Sequence, residues 1–470
     1  TYYSTKNPFV MQVYFHEKEI YDILYIGEVV MKKFTTNILK DILFQEEKID
    51  LRTPDCYWEW SLLSYCLDFK QQEWLGLGGS ITQASGENFN KLAPEKQQRF
   101  IEDYFGSQGL NYQFLRMPIA SCNFSSSSYE YISMEDGSDF SILKDSGDFG
   151  PMLDYLKEKK HLQVIASPWS PPHVWKDNHS LYQGGQLLKE YYPAYARYLR
   201  QYIKEYQKQG VAISYITLQN EPYASQAWES CTWSLSSQKE FLYHYLIPEF
   251  QREHISTQIL LWDHNKEKLF EHVKMLYQKN PVITGVALHS YSGHHFKQLD
   301  WVRQKYPELL LLETECCSAF EPYQKETWLS SAEYYLGEIL GNMRHGLNAF
   351  LDWNILLDFH GGPNHKNNFC KSPILLNESG TDYIKTPIYY YLKHLALIPI
   401  HSRVIEHSIY DENLSAIVCE GKEQDLYFVL LNRSNQVKEI CILIDGQLLQ
   451  DFLAPHSIVT YISKKEKPRQ

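Results

Sequence analysis

The stretch ISYITLQNEPY, residues 213–223, begins as an apolar strand and closes on an amide, a carboxylate and a proline: Asn220, Glu221 and Pro222. A strand this apolar must be covered on both faces, which is the situation of a parallel sheet flanked by helices. Its polar end then needs an architecture that makes use of it. In a (β/α)8 barrel the C-terminal ends of all the strands meet at one mouth, and catalytic side chains are drawn from there.

Seven further stretches repeat the theme: EWLGLGGSI (73–81), YQFLRMPI (112–119), LQVIASPW (162–169), QILLWDHN (258–265), ITGVALHSY (283–291), ELLLLETEC (308–316) and AFLDWNILL (349–357). Amphipathic segments such as 94–109, 186–210 and 236–254 alternate with them, and Gly or a polar cluster stops several. Eight strand–helix units predict an α/β fold, a closed TIM barrel over residues 73–400, rather than an open doubly wound sheet. The GLGGS run does not change this, because its spacing is not the GxGxxG of a nucleotide loop. Beyond residue 400 the pattern becomes period-two: LSAIVCE (414–420), LYFVLLN (426–432), KEICILI (438–444) and SIVTYIS (457–463), separated by polar turns. Residues 401–470 are therefore predicted as a β-sandwich. The strand-like segment before the barrel, within 34–72, is expected to join it, and residues 1–33 are set apart as an N-terminal segment, poorly ordered or preceding the fold.

Composition excludes several function classes. The 470 residues are 44% hydrophobic and carry a formal net charge of -12, without the clustered Lys and Arg that phosphate backbones require, so nucleic acid is not expected as a partner. No stretch reaches the ~18 apolar residues of a transmembrane span, and no signal peptide is legible. The nine cysteines are scattered without a CxxC pair, against both a disulfide framework and structural zinc. A cytoplasmic location is the expectation, with no cofactor and no metal. The HSYSGHH run (289–295) matches no standard ligand spacing.

The polar residues at the predicted strand ends are Gln83, Arg116, Trp169, Asn220 with Glu221, Asp263 with His264, His289 with Tyr291, Glu315, and Asp352 with Trp353 and Asn354. Glu221 and Glu315 close strands four and seven. Two carboxyls across a barrel mouth suit glycoside hydrolysis, in which one donates a proton to the leaving oxygen and the other, about 5 Å away in retaining enzymes, attacks the anomeric carbon. Their environments must then push their proton affinities apart, with Glu221 expected to be held high. A Glu at a strand end is also an ordinary surface residue or helix cap. Glu313 lies on the same side of the strand as Glu315 by period-two geometry, and pattern leaves the choice between them open. Trp169, Tyr291 and Trp353 are either plain core or the flat platforms that sugar rings need.

The chain resembles the glucosylceramidase family of retaining glycoside hydrolases, family 30. The resemblance is carried by GLGGSITQAS, YQFLRMPIASCNFS, VIASPWSPPHVWKDN, ITLQNEPYASQAWESC, LLETECC, LDWNILLDFHGGPNHKNNF and KSPI, in family order across residues 74–374. It implies a (β/α)8 barrel with a β-sandwich built from the segments before and after it. It also implies Glu221 as acid/base and Glu315, rather than Glu313, as nucleophile. Asn220 would bond the sugar 2-hydroxyl and Arg116 would support the ionised nucleophile. Trp169, His289, Tyr291, Trp353 and Asn368 would line the pocket, and Asp352 would hold hydroxyls of the same sugar.

Two departures stand out. Gln83 replaces the acid of the family's GGxxTD motif, which grips hydroxyls far from the anomeric centre, and an amide is the weaker acceptor there. Ser290 replaces the bulky ring of the usual HWY triplet, which predicts a more open rim. The implied activity is an exo-β-glycosidase releasing glucose from β-glucosides by double displacement. β-Xylosidase, β-fucosidase and endo-β-glucanase activities are the alternatives on this scaffold, and a non-catalytic sugar-binding barrel is the rival from another class.

Overall fold

A computed structural model of the chain describes residues 29–54 and 61–465. Eight parallel strands close into a ring in chain order: β1 (Gly76–Ser80), β2 (Phe114–Ile119), β3 (Gln163–Pro168), β4 (Ile213–Thr217), β5 (Gln258–Asn265), β6 (Ile283–His289), β7 (Leu310–Glu315) and β8 (Ala349–Asp352). Alternation along each stave explains the apolar runs. Phe114, Ile165, Leu260, Leu312 and Leu351 fill the inside of the ring, while Leu115, Val164, Ile216 and Leu311 pack outward into the main core shared with the helices. Each stave is thus buried on both faces, as the opening stretch requires.

The glycines of GLGGS have a packing role. A Cβ on Gly78 would lie 2.5 Å from the carbonyl oxygen of Phe114, and one on Gly79 2.5 Å from Ile355 Cγ2. No side chain fits between β1 and its neighbours.

Register slips aim the strand ends. Leu312 and Glu313 pair with Ala287 and Leu288, but the residue paired with His289 is Glu315, so Thr314 is an inserted residue. Such a bulge turns the following side chain. The expectation that Glu313 and Glu315 share a side is corrected for this reason: Glu313 faces the helix Lys325–Arg344 outside the ring, and Glu315 faces the mouth. A second slip lies between Trp262 and His264 on β5, where Trp262 and Asp263 both take positive φ, 77° and 61°.

The β-sandwich is formed from both ends of the described chain. Its larger sheet has the strand order Ile42–Ile49, Val29–Asn37, Ser457–Lys465, Leu426–Asn432, Leu414–Glu420, Ser402–Ile409, Leu63–Trp74. The hairpin Lys438–Ile444 and Gln447–Leu453 covers it, joining Ile440, Ile442 and Leu449 to Phe428, Val459 and Ile405 in one core. The boundary expected at residue 34 moves toward the N-terminus, because Val29 to Lys33 already pair with Lys465 to Tyr461. The rest of the 1–33 segment lies outside the described residues. Only Leu75 separates the last sandwich strand from β1. Among the described residues no helix is long and apolar enough to cross a membrane.

Candidate active site

At the C-terminal ends of the strands lies a cavity of about 290 Å3. Glu221 enters it from the turn after β4, where its own φ of 48° is left-handed and its amide donates to the Asp263 carbonyl at 2.9 Å. Backbone strain of this kind persists where the surroundings enforce it. Glu315 enters from the end of β7. Trp169, Asn220, Tyr291, Trp353 and Asn368 share the wall with them. The two tryptophans stack with ring centroids 5.1 Å apart and give this wall an apolar stretch.

Beneath the cavity runs a buried charge network. Arg116, fully buried, donates to Glu315 Oε2 at 2.5 Å, to Asn220 Oδ1 at 2.8 Å and to Asp263 Oδ2 at 3.0 Å, and its guanidinium carbon lies 4.8 Å from the Trp169 ring. Asp263 is the hub. It also accepts from Ser167 Oγ at 2.9 Å, Thr217 Oγ1 at 2.8 Å, Thr314 Oγ1 at 2.7 Å and His289 Nε2 at 3.1 Å. Burial alone would raise its carboxyl, but Arg116 and His289 hold it far below the usual range. His289 reaches Glu221 Oε1 through Nδ1 at 3.3 Å. Burial works against its proton, yet Glu315, Asp263 and Glu221 together lift it to about 10, so it is an imidazolium at neutral pH. The Tyr291 hydroxyl donates to Glu315 Oε1 at 3.0 Å.

This corrects the expectation for Glu221. Burial is the largest single influence and pushes its carboxyl up, but the hydrogen bond and charge of His289 together with the charge of His264 hold it below the ordinary glutamate value in the ligand-free site.

Four residues expected to bind substrate do not line the cavity: Arg116 and His289 lie fully buried in the network beneath it, and Gln83 and Asp352 are placed elsewhere. Gln83 starts the helix Gln83–Asn90, where its amide donates to Asp148 Oδ2 at 2.8 Å and accepts from the Ser126 amide at 3.1 Å. It does not line the cavity. Asp352 is fully buried off the cavity wall, accepting from Tyr335 at 3.0 Å through Oδ1, with Oδ2 unpartnered among the described residues. Burial drives the proton affinity of this carboxyl well up. Ser290 does not open the rim either. It is buried and bonded to Glu313 on the outer side of the barrel wall.

Asp263 and His264, both strand-end residues without an expected role, bear on the two carboxyls: Asp263 holds Arg116 and His289, and His264 Nδ1 lies 3.8 Å from Glu221 Oε1. Asn123, Gln226, Trp228, Asn265, Cys317 and Cys370 also line the cavity. Asn265 is the last residue of β5, and the others sit on loops, where no strand period marks them. The HSYSGHH histidines are in hydrogen bonds instead: His294 with Glu338 at 2.7 Å and His295 with the Ser292 carbonyl at 3.1 Å. A larger cleft of about 750 Å3 lies at the opposite end of the barrel, beside Leu75, Leu310 and Asn348, and holds none of the strand-end groups.

Comparison with known proteins places this geometry. A relative from Caenorhabditis elegans, named provisionally as glucosylceramidase 3, is 28% identical over 84% of this chain and 81% of its own length. An endo-1,6-beta-D-glucanase of Neurospora crassa is 26% identical over 63% of this chain and 62% of its own. The crystal structure of SrfJ from Salmonella typhimurium superposes with a TM-score of 0.88 at 28% identity, covering 93% of this chain and all of that one. The model of the glycosyl hydrolase family 30 TIM-barrel domain matches residues 75–398. With two carboxyls at one aromatic-walled mouth and a family model spanning the whole barrel, the chain belongs to glycoside hydrolase family 30 and is a glycosidase.

Proposed function

We propose that the chain is a retaining, exo-acting β-glycosidase with β-glucosides as its substrates, Glu315 as nucleophile and Glu221 as acid/base. The observation that carries this reading is the pairing of Glu221 and Glu315 in one cavity, each fastened to a different member of a shared charge network.

In the first step a Glu315 oxygen attacks the anomeric carbon while the glycosidic oxygen departs with the Glu221 proton. In the second step Glu221 takes a proton from water, whose oxygen attacks the same carbon and releases Glu315. The charges of the network balance at both stages. Arg116 and His289 are cations, and Asp263 and Glu315 are anions, so a protonated Glu221 makes the group neutral. Once Glu315 is esterified its charge is gone, and an ionised Glu221 restores neutrality. In the ligand-free site His289 favours the ionised Glu221. A sugar that fills the cavity expels water and strengthens burial, which is already the largest influence on that carboxyl and acts to raise it.

The test is a panel of aryl β-glycosides differing only in the sugar, assayed with wild type and Glu315→Gln. Turnover of the β-glucoside by wild type and its loss in the variant support the reading. Full activity in the variant removes Glu315 from the role.

A second reading has its own observation. Gln83 is fastened to Asp148 and Ser126 rather than exposed to the cavity, so the acid grip that would hold a terminal sugar is absent, which favours internal cleavage of a β-glucan. β-1,6-Linked gluco-oligosaccharides discriminate the two: release of glucose alone supports exo action, and release of shorter oligosaccharides supports endo action.

A further inference from the structure

Cys317 and Cys370 approach each other at the cavity wall with Sγ atoms 3.1 Å apart, inside ordinary contact for two sulfurs. Both line the cavity that holds Glu221 and Glu315. Their backbones are already joined as neighbouring strands are: Ala319 bridges Cys370, the Phe320 amide donates to the Phe369 carbonyl at 3.0 Å, and the Lys371 amide donates to the Ser318 carbonyl at 2.9 Å. A covalent bond between the sulfurs requires them to close by about 1 Å, without reorganising the segments that carry them. The chemistry of each thiol differs. Cys370 is buried, and its hydrogen bond with Cys317 followed by burial raises its thiol well above the usual value. Cys317 is part exposed toward the cavity, and its sulfur lies 3.4 Å from the Tyr291 hydroxyl that donates to Glu315.

We infer that Cys317 and Cys370 form a redox modification site, closing to a disulfide across the active-site wall when a low-molecular-weight disulfide enters the cavity. The thiolate of Cys317 attacks one sulfur of the small disulfide, forming a mixed disulfide and expelling one small thiolate. Cys370 then gives its proton to that thiolate and attacks the Cys317 sulfur. The second small thiolate leaves and takes up the proton that Cys317 released. Two protein thiols and one small disulfide thus become one protein disulfide and two small thiols. The cross-link removes the thiol beside Tyr291 and ties the segment after Glu315 to the loop carrying Asn368.

The test is incubation of the full chain with oxidised glutathione, followed by peptide mapping under non-reducing conditions, thiol titration of the native protein and assay on the aryl β-glucoside. A Cys317 to Cys370 cross-linked peptide, a loss of two thiols, and a fall of about threefold or more in kcat/KM reversed by dithiothreitol are expected. In Cys370→Ser the reaction should stop at a glutathionyl group on Cys317. Absence of the cross-link in wild type, or the same activity change with the same Cys317 adduct in wild type and Cys370→Ser, would overturn the proposal. The mapping needs no activity, so its outcome is separate from that of the substrate assignment.

Discussion

Glu313 and Glu315 stand two residues apart on β7 and belong to two different buried charge networks. On the mouth side, Glu315 joins Arg116, Asp263, His289 and Glu221 in a group open to a cavity. On the outer side, Glu313 is bonded to Ser290 and to Asn342 Nδ2 at 2.7 Å, beside a fully buried Lys266–Glu338 pair that His294 caps from the surface. The two differ in what their charges face. The outer group is closed, and burial with the neighbouring Glu338 pushes the Glu313 carboxyl up to about 7. The inner group keeps Glu221 and Glu315 at space that a ligand can fill, with Asp263 buried beneath them. Buried polar clusters can therefore serve stability or chemistry, and the bulge at Thr314 separates the two groups along a single strand.

The sharpest way to break this contrast is to neutralise one glutamate at a time. Glu315→Gln is expected to lower turnover of an aryl β-glucoside on the order of 10^4-fold or more, whereas Glu313→Gln should stay within about tenfold of wild type, since an amide can keep both its bonds. Comparable losses in the two variants would erase the distinction. The next effect belongs to the hub. Asp263→Asn leaves Arg116 and His289 without their shared anion, and steady-state kinetics should show kcat/KM down by about 10^2- to 10^3-fold.

Lys266→Met probes the outer network. It strands the buried Glu338 carboxylate and should cost about 3–5 kcal/mol in chemical denaturation, with specific activity of the folded fraction unchanged. A large activity loss there would show that the outer network governs the site.

Two pH experiments carry the smaller effects. With Glu221 as the proposed acid, which must be protonated, kcat/KM should fall as pH rises through the lowered Glu221 value, and the corresponding limb of kcat should lie at higher pH once substrate excludes water. His289→Asn removes the cation that lowers Glu221 and should move the kcat/KM limb upward by about one pH unit; an unmoved limb argues against the pairing. For Glu313 the sign is that of a raised carboxyl. Its stabilising contribution is complete below the ordinary value of 4.5 and is lost as pH rises through about 7. Melting temperature against pH should therefore fall less steeply over that window in Glu313→Gln than in wild type.

Much of the site was legible in the sequence because strand ends are countable. Asn220, Glu221, His289 and Glu315 fall where an apolar run turns polar, Arg116 is the one charge inside the apolar run FLRMPI, and the structure joins them in one network. Gln83 and Asp352 satisfy the same rule and lie off the cavity wall, since a strand-end position does not specify a side chain's direction. The loop residues Gln226, Trp228 and Cys317 reach the cavity with no periodic signal to mark them.

By itself the sequence determined the barrel and the sandwich, because burial on both faces and convergence of strand ends follow from local pattern and chain order; that pattern reached Glu221 but left Glu313 and Glu315 open, a choice only the family resemblance made. Only the tertiary structure decided which way each side chain points. Bulges on β5 and β7 shift the register against β6, setting Asp263 beneath the cavity and Glu315 in its wall while Glu313 stays outside. The proton affinity of Glu221 was decided there too, because it depends on an imidazolium 68 positions away in the chain and 3.3 Å away in space.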